Sequence, residues 1–109
     1  MKKLIAIVCL LCTGLATAGG NSEEGKKVAE QVCKSCHGLD GQGIDATYPK
    51  LAGQFQSYMA QALKDYRSGD RSNIIMAGFA ASLSDQEIED VAAFYANLKE
   101  GRLHDLSIK

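Results

Sequence analysis

Apolar residues recur every three or four positions in three segments of this 109-residue chain, a spacing typical of amphipathic helices. The segments cover approximately residues 22–33, 55–68 and 84–98, and Ser22 is the expected N-cap of the first. No segment shows the sustained alternation of apolar and polar residues that indicates a half-buried strand. The pattern therefore predicts an all-α fold with three main helices.

The third segment carries the clearest start signal. Ser84 is followed by Glu87 three positions later, which is the spacing of a capping box. Leu83 and Ile88 flank this start at the positions of a hydrophobic staple, and Gly101 lies where a helix C-terminus favours glycine. We expect this helix to be the best defined of the three.

Two long loops separate the helices, over residues 38–54 and 69–83. The first contains Pro49, the single proline of the chain, together with several glycines. Irregular segments of this length are uncommon in so small a domain, and we expect them to need an organising centre.

The motif Cys33-Lys34-Ser35-Cys36-His37 supplies a candidate for that centre. Residues three positions apart lie on one helical face, so both thiols can reach the vinyl groups of a single haem and form thioethers. The histidine follows directly and can coordinate the iron as the proximal ligand. The motif therefore predicts one covalently attached haem c.

Other uses of these residues fit less well. A redox-active cysteine pair is typical of a fold with alternating strands and helices, which the pattern lacks. A zinc site needs four ligands, and beyond the motif and the leader the chain offers only His104 and carboxylates. A structural disulfide would leave His37 without a role.

The first 18 residues have the features of a secretory signal peptide. Two lysines precede an apolar run over residues 4–15, and Ala16-Thr17-Ala18 is a small-residue cleavage site. We expect residues 1–18 to be removed on export, which leaves a domain of residues 19–109 in the periplasm. The apolar run is short for a membrane span, so no stable membrane insertion is expected after cleavage.

The balance of charges excludes one class of partner. The chain has 12 basic and 13 acidic residues, and two of the lysines lie in the predicted leader, so the remaining domain carries a formal charge of −3. Nucleic-acid binding requires a basic patch, which this composition does not supply. Arg67 and Arg71 are each either a partner of a haem propionate or a surface residue.

An electron-transfer haem needs a sixth iron ligand, and a thioether favours the ferrous state. Met59 falls on the apolar stripe of the second helix, where filling the core is its expected role. Met76 lies in the second loop, with Gly78 nearby, and is the favoured ligand. His104, near the C-terminus, is a further candidate.

Six segments give the chain a resemblance to the bacterial class I cytochromes c, both the single-haem periplasmic type and one half of the two-haem periplasmic type. The resemblance extends over nearly all of residues 19–109. The segments that carry it are Gly25–Val28, Cys33–Gly38, Tyr48–Gln54, Ile75-Met76, Leu83–Ile88 and Ala93–Tyr95.

The resemblance implies roles for individual positions. Met76 matches the distal iron ligand, and Pro49 matches the proline whose carbonyl accepts a hydrogen bond from His37. Leu51 is expected to line the haem pocket. Gly25 and Tyr95 match the contact where the N- and C-terminal helices cross, with the glycine allowing the close approach.

The function implied is that of a periplasmic electron carrier without substrate turnover of its own. Its partners would be redox proteins that bind weakly and transiently, and the oligomeric state is left open. Two alternatives remain: a haem subunit of a larger oxidoreductase, or a gas-binding or catalytic haem protein with an open iron position.

Overall fold

The computed structural model describes residues 19–98, and over these residues the chain is helical without strands. The predicted all-α fold is therefore confirmed for this part of the chain. The predicted signal peptide, Gly101 and His104 lie outside the described residues. Among residues 19–98, no helix is long and apolar enough to span a membrane. In chain order the elements are α1 (Ser22–Val28), a π-helical turn (Ala29–Cys33), α2 (Lys34–His37), α3 (Gln56–Ser68), α4 (Ile74–Ala81) and α5 (Asp85–Ala96).

The first helix begins one residue earlier than expected. Asn21 is the N-cap, and its side-chain oxygen accepts hydrogen bonds from the backbone of Glu23 and Glu24. The prediction that Ser22 caps this helix is wrong, because an asparagine in extended conformation directly before it satisfies the same exposed N–H groups.

Helices α1 and α5 cross in close contact at Gly25. A Cβ atom added there would lie 1.9 Å from the Asp90 carbonyl oxygen and 2.9 Å from Cβ of Phe94. The expected role of Gly25 in close helix approach is therefore confirmed. The α5 side chain nearest to Gly25 is that of Phe94 and not, as expected, that of Tyr95, whose hydroxyl donates to Gly38 O instead. Asp90 is buried beside the Gly25 contact, where its Oδ1 accepts hydrogen bonds from Asn21 N and Gln86 Nε2, both at 2.8 Å.

Helix α5 forms the centre of the hydrophobic core. Its capping box is present, since Ser84 Oγ accepts from Glu87 N and Glu87 Oε1 accepts from Ser84 N, both at 3.1 Å. Ile88, Val91 and Tyr95 are the largest fully buried side chains of the described residues. The hydroxyl of Tyr95 donates to Gly38 O at 3.0 Å, which connects the core to the end of the haem motif.

Helix α1, the π-helical turn and α2 follow one another without a break and form the first helical stretch, residues 22–37. The π-helical turn sets which side of this stretch faces the core. The backbone N–H of Lys34 donates to the carbonyl of Ala29, five residues earlier. In an α-helix, side chains five residues apart point about 140° away from each other. A π turn contains one additional residue, which brings them towards the same side. Val28 and Cys33 consequently both contact the hydrophobic core.

The two predicted loops differ in the structure. Residues 38–54 form an irregular loop, pinned to α2 where Gly43 N donates to His37 O at 2.7 Å and Ile44 N to Cys36 O at 2.9 Å. The second predicted loop instead contains α4, whose N-cap Asn73 accepts from the backbone of Ile75 and Met76. Apolar residues nearly fill α4, so no amphipathic period marked it in the sequence.

Replacing Gly25 by alanine should destabilise the protein, because the new methyl group collides with the α5 backbone. Overpacking of this kind typically costs about 1–3 kcal/mol. The free energy of unfolding from denaturant titration measures the effect.

Gly78→Ala is the matched control, since a Cβ at Gly78 in α4 meets no atom within 4 Å. That variant should be neutral or gain up to about 1 kcal/mol from the better helix propensity of alanine. Equal effects of the two variants would contradict a close crossing at Gly25.

Deleting Gln31 should be tolerated. This exposed residue lies in the π turn, and its removal lets residues 22–37 form one continuous α-helix that keeps Cys33 on the core side, with Cys36 one turn further on. We expect the purified variant to retain its covalent haem, measured by mass, and to change the free energy of unfolding by less than about 1 kcal/mol.

Deletion of Gln61, an exposed residue in the regular helix α3, is the comparison. It rotates the rest of that helix by about 100° and should abolish the fold. Loss of haem and stability in both deletion variants would rule out the π turn as an accommodation of one extra residue.

Candidate cofactor cleft

A cleft of about 340 Å³ opens between the end of the first helical stretch, loop 38–54, α3 and α4. This volume falls in the range of small-molecule and cofactor sites. Most of the side chains that line it are apolar or aromatic, and its floor includes Val91, Ala92 and Tyr95 of α5. Helix α5, at the centre of the core, thus also forms the floor of the cleft.

The structure brings together the six described residues to which the sequence and the resemblance gave a role in attaching, ligating or enclosing the haem. The cleft is lined by Cys33, Cys36, His37, Pro49, Leu51 and Met76. These six residues come from a helical stretch, a loop and a separate helix, so only the folded chain collects them. Their individual roles towards a haem stay predictions.

His37 is held in one orientation at the cleft wall. The side chain is 7 % exposed, and Nδ1 lies 3.0 Å from the carbonyl oxygen of Pro49. A carbonyl oxygen only accepts, so Nδ1 carries the proton and Nε2 presents a lone pair. The Tyr48 ring packs against His37 edge-on, with centroids 6.2 Å apart. The histidine therefore has one nitrogen engaged and the other available as a metal ligand.

Cys33 and Cys36 are free, partly buried thiols on the cleft wall. Burial raises the pKa of the Cys33 thiol to about 11, an effect that a hydrogen bond with Tyr95 partly offsets. In the free polypeptide this thiol is therefore neutral at physiological pH. Among residues 19–98, no group of three or more His, Cys, Asp or Glu side chains is arranged to hold a metal ion.

Two methionines reach the cleft, and their environments differ. Met59 is 6 % exposed and belongs to the hydrophobic core cluster as well as lining the cleft. Met76 is less buried and enters from α4, where Asn73 Oδ1 accepts from its backbone N–H at 3.0 Å. The structure thus assigns Met59 to the core, and gives Met76 a fixed backbone position.

Helix α3 has a second functional face that the sequence analysis did not identify. Tyr58, Ala62 and Tyr66 all line the cleft and recur every four residues, a signal for a second functional face of α3. The second predicted segment starts at Phe55, but this residue precedes α3 as its N-cap residue and is 75 % exposed. Helix α3 therefore begins one residue later than predicted, at Gln56.

The residues of the cleft fit a covalently held haem. Two thiols and a histidine with a free Nε2 lone pair meet along a largely apolar cleft of cofactor size. Thioether bonds would use both thiols, and the ring of His37 would supply the nitrogen ligand.

Comparisons with known proteins agree with this fit. Cytochrome c4 of Pseudomonas aeruginosa is 40 % identical over 101 residues, covering 91 % of this chain and 50 % of that protein. Cytochrome c-554(548) of Halomonas halodenitrificans is 43 % identical over 69 residues, covering 61 % of this chain and 83 % of that protein. The chain spans about half the length of the cytochrome c4 proteins that it matches.

The fold comparison gives the same result. The crystal structure of reduced recombinant cytochrome c4 from Pseudomonas stutzeri superposes with a TM-score of 0.63 at 36 % identity, covering 69 % of this chain and 46 % of that one. The sequence model of the Cytochrome c family matches residues 22–99. The chain therefore belongs to the cytochrome c family, as a class I domain whose cofactor is covalently bound haem c.

Proposed function

We propose that this protein is an exported electron carrier whose haem is attached through Cys33 and Cys36 and coordinated by His37 and Met76. The convergence of these four residues on one apolar cleft is the observation that carries the proposal. When bound, haem supplies an iron that accepts and donates one electron. The protein contributes attachment, ligands and exclusion of water.

His37 serves as the proximal ligand through Nε2. Its Nδ1–H donates to Pro49 O at 3.0 Å, a contact that selects the tautomer and fixes the ring plane. A hydrogen bond of this kind also increases the basicity of the ligating nitrogen. Because the ring is nearly buried, it has little freedom to rotate when the iron changes oxidation state.

Met76 serves as the distal ligand. A thioether is a soft donor that favours ferrous iron and raises the reduction potential. If His37 and Met76 both ligated the haem iron, no coordination position would stay open to a gas or a peroxide. This arrangement supports electron transfer over the gas-binding and catalytic alternatives.

The apolar lining has two consequences for the same function. It excludes water, and it disfavours the more highly charged ferric state relative to the ferrous one. The cofactor also enlarges the buried apolar volume of a domain too small to stabilise itself easily. We therefore expect the haem to be part of the hydrophobic core.

The leader and the surface suggest where and with whom the protein acts. Residues 1–18 are proposed as the signal peptide and residues 19–109 as the periplasmic domain, from the lysines, apolar run and small-residue site of the leader. Redox partners would dock near the cleft. Two exposed lysines lie there: Lys34 is part of the haem-attachment motif, and Lys50 lines the cleft. Such encounters use small interfaces that separate quickly.

Replacing both Cys33 and Cys36 by alanine should abolish covalent attachment. Mass spectrometry of the exported wild-type protein should show the polypeptide from residue 19 plus one haem, and the variant should show polypeptide alone. Circular dichroism should show loss of most helical structure in the variant, since the core lacks its cofactor.

Ser35→Ala is the control, because this exposed residue lies between the two cysteines without lining the cleft. It should retain the haem. A wild-type mass without any addition of haem size would contradict the proposed function.

Replacing Met76 by alanine should open one axial position while the haem stays attached. The ferrous variant should bind carbon monoxide at neutral pH, and its reduction potential should fall because the thioether no longer favours ferrous iron. Absorption spectra with and without carbon monoxide, together with potentiometry, measure both effects.

Met59→Leu provides the comparison, since it removes the other thioether of the cleft and nearly conserves its volume, at a cost below about 1.5 kcal/mol. This variant should exclude carbon monoxide like the wild type. If it binds the gas and Met76→Ala does not, the distal ligand is Met59.

A further inference from the structure

Loop 38–54 is attached at both of its ends to a single residue of α5. The hydroxyl of Tyr95 donates to Gly38 O at 3.0 Å, where the loop begins directly after His37. The backbone N–H of Gly53, near the other end of the loop, donates to Tyr95 O, also at 3.0 Å. Tyr95 is among the largest fully buried side chains of the described residues. One rigid residue of the core therefore holds both ends of the loop that carries Pro49.

The position of Tyr95 near the end of α5 makes the second of these bonds possible. The last four carbonyl groups of an α-helix have no partner within the helix. Helix α5 ends at Ala96, so the carbonyl oxygen of Tyr95 can accept from another element. The side chain of Tyr95 lines the cleft at the same time. The residue thus reaches the loop with its backbone and its side chain together.

The loop also closes tightly against the ring of Tyr95. A Cβ atom added to Gly41 would lie 3.0 Å from Tyr95 Cδ1 and 2.8 Å from the backbone nitrogen of Ala52. The carbonyl oxygen of Gly41 accepts from Leu51 N at 2.8 Å and from Ala52 N at 3.1 Å. These bonds close the loop on itself two residues after Pro49, so the backbone around Pro49 is held in place relative to Tyr95.

The preceding aromatic residue of α5 has a different contact. The Cβ atom of Phe94 lies at the helix crossing, 2.9 Å from where a Cβ of Gly25 would be, and Phe94 does not line the cleft. Successive residues of a helix point about 100° apart, which sends the two adjacent rings to different places. Phe94 and Tyr95 therefore form a matched pair of buried aromatic residues, of which only Tyr95 has a hydroxyl that reaches the loop.

We propose that Tyr95 is a positioning residue for the proximal iron ligand: by holding both ends of loop 38–54, it keeps the carbonyl oxygen of Pro49 on Nδ1 of His37. This inference rests on the proposed role of His37. The bond from Nδ1–H to Pro49 makes Nε2 more basic, and a more basic ligand favours ferric iron. A loosened loop weakens this bond and shifts the balance towards ferrous iron.

The test compares haem-loaded wild type with Tyr95→Phe, which removes the hydroxyl and keeps the ring that excludes water. In the ferrous protein, nuclear magnetic resonance measures how fast the Nδ1 proton of His37 exchanges with deuterium oxide. The exchange should become about 2- to 10-fold faster, the change in open population expected when one buried hydrogen bond is lost.

Potentiometry of the same variant gives a second measurement. At the midpoint potential of the wild type, the ferric-to-ferrous ratio of Tyr95→Phe should fall from one to about 0.3–0.5, because the iron has a less basic ligand. A tenfold change in this ratio corresponds to 59 mV for a one-electron couple.

Phe94→Leu is the matched control. It removes an aromatic ring from the helix crossing and should lower the temperature of thermal unfolding at least as much as Tyr95→Phe does. Its Nδ1 proton exchange and its reduction potential should stay close to those of the wild type, since the ends of the loop remain attached to Tyr95.

The outcomes separate this inference from the proposed function. If the wild type carries no covalent haem, the proposed function fails and this inference fails with it. If the wild type carries haem but Tyr95→Phe keeps either the wild-type exchange rate or the wild-type potential, only the role of Tyr95 is overturned. Equal changes in Tyr95→Phe and Phe94→Leu would also overturn it, because a general loss of stability would then explain both.

Discussion

The hydrogen bond between His37 Nδ1 and the carbonyl oxygen of Pro49 is the interaction on which the site depends. It joins the end of the first helical stretch to the far part of loop 38–54, and the backbone of Gly43 and Ile44 pins the near part to the same helix end. The loop is thereby a defined wall of the cleft, and the imidazole has one tautomer. Without this bond, neither the tautomer nor the ring plane of His37 would be fixed, and the lone pair of Nε2 would have no unique position.

The frame that supports this wall is formed separately. Helices α1 and α5 approach closely because Gly25 has no side chain. The buried carboxylate of Asp90 accepts a hydrogen bond from the backbone N–H of Asn21 at the start of α1. The other side of α5 presents Val91 and Tyr95 to the cleft. One helix therefore carries both the helix crossing and the floor of the cofactor site, so the geometry of the site follows the packing of the core.

Charge in this protein is distributed by position more than by composition. The domain is acidic overall, yet the described cleft lining holds only cationic charges, and Arg71 is oriented there by tyrosines instead of by a carboxylate. Arg67, four residues earlier along the chain, is used for packing between helices. Net charge alone would therefore have been a poor guide to the electrostatics of the iron site.

The sequence by itself determined what depends on neighbours along the chain. The capping box of α5 and the spacing of Cys33 and Cys36 are local, because a helical turn brings together residues three apart. Only the tertiary structure decided that residues 74–81 form α4. Nearly all of these residues are apolar, so the sequence has no amphipathic period there, and only the cleft distinguishes one side of the helix from the other. The sequence likewise could not tell which of Arg67 and Arg71 lines the cleft, because that depends on contacts between separate elements of the fold.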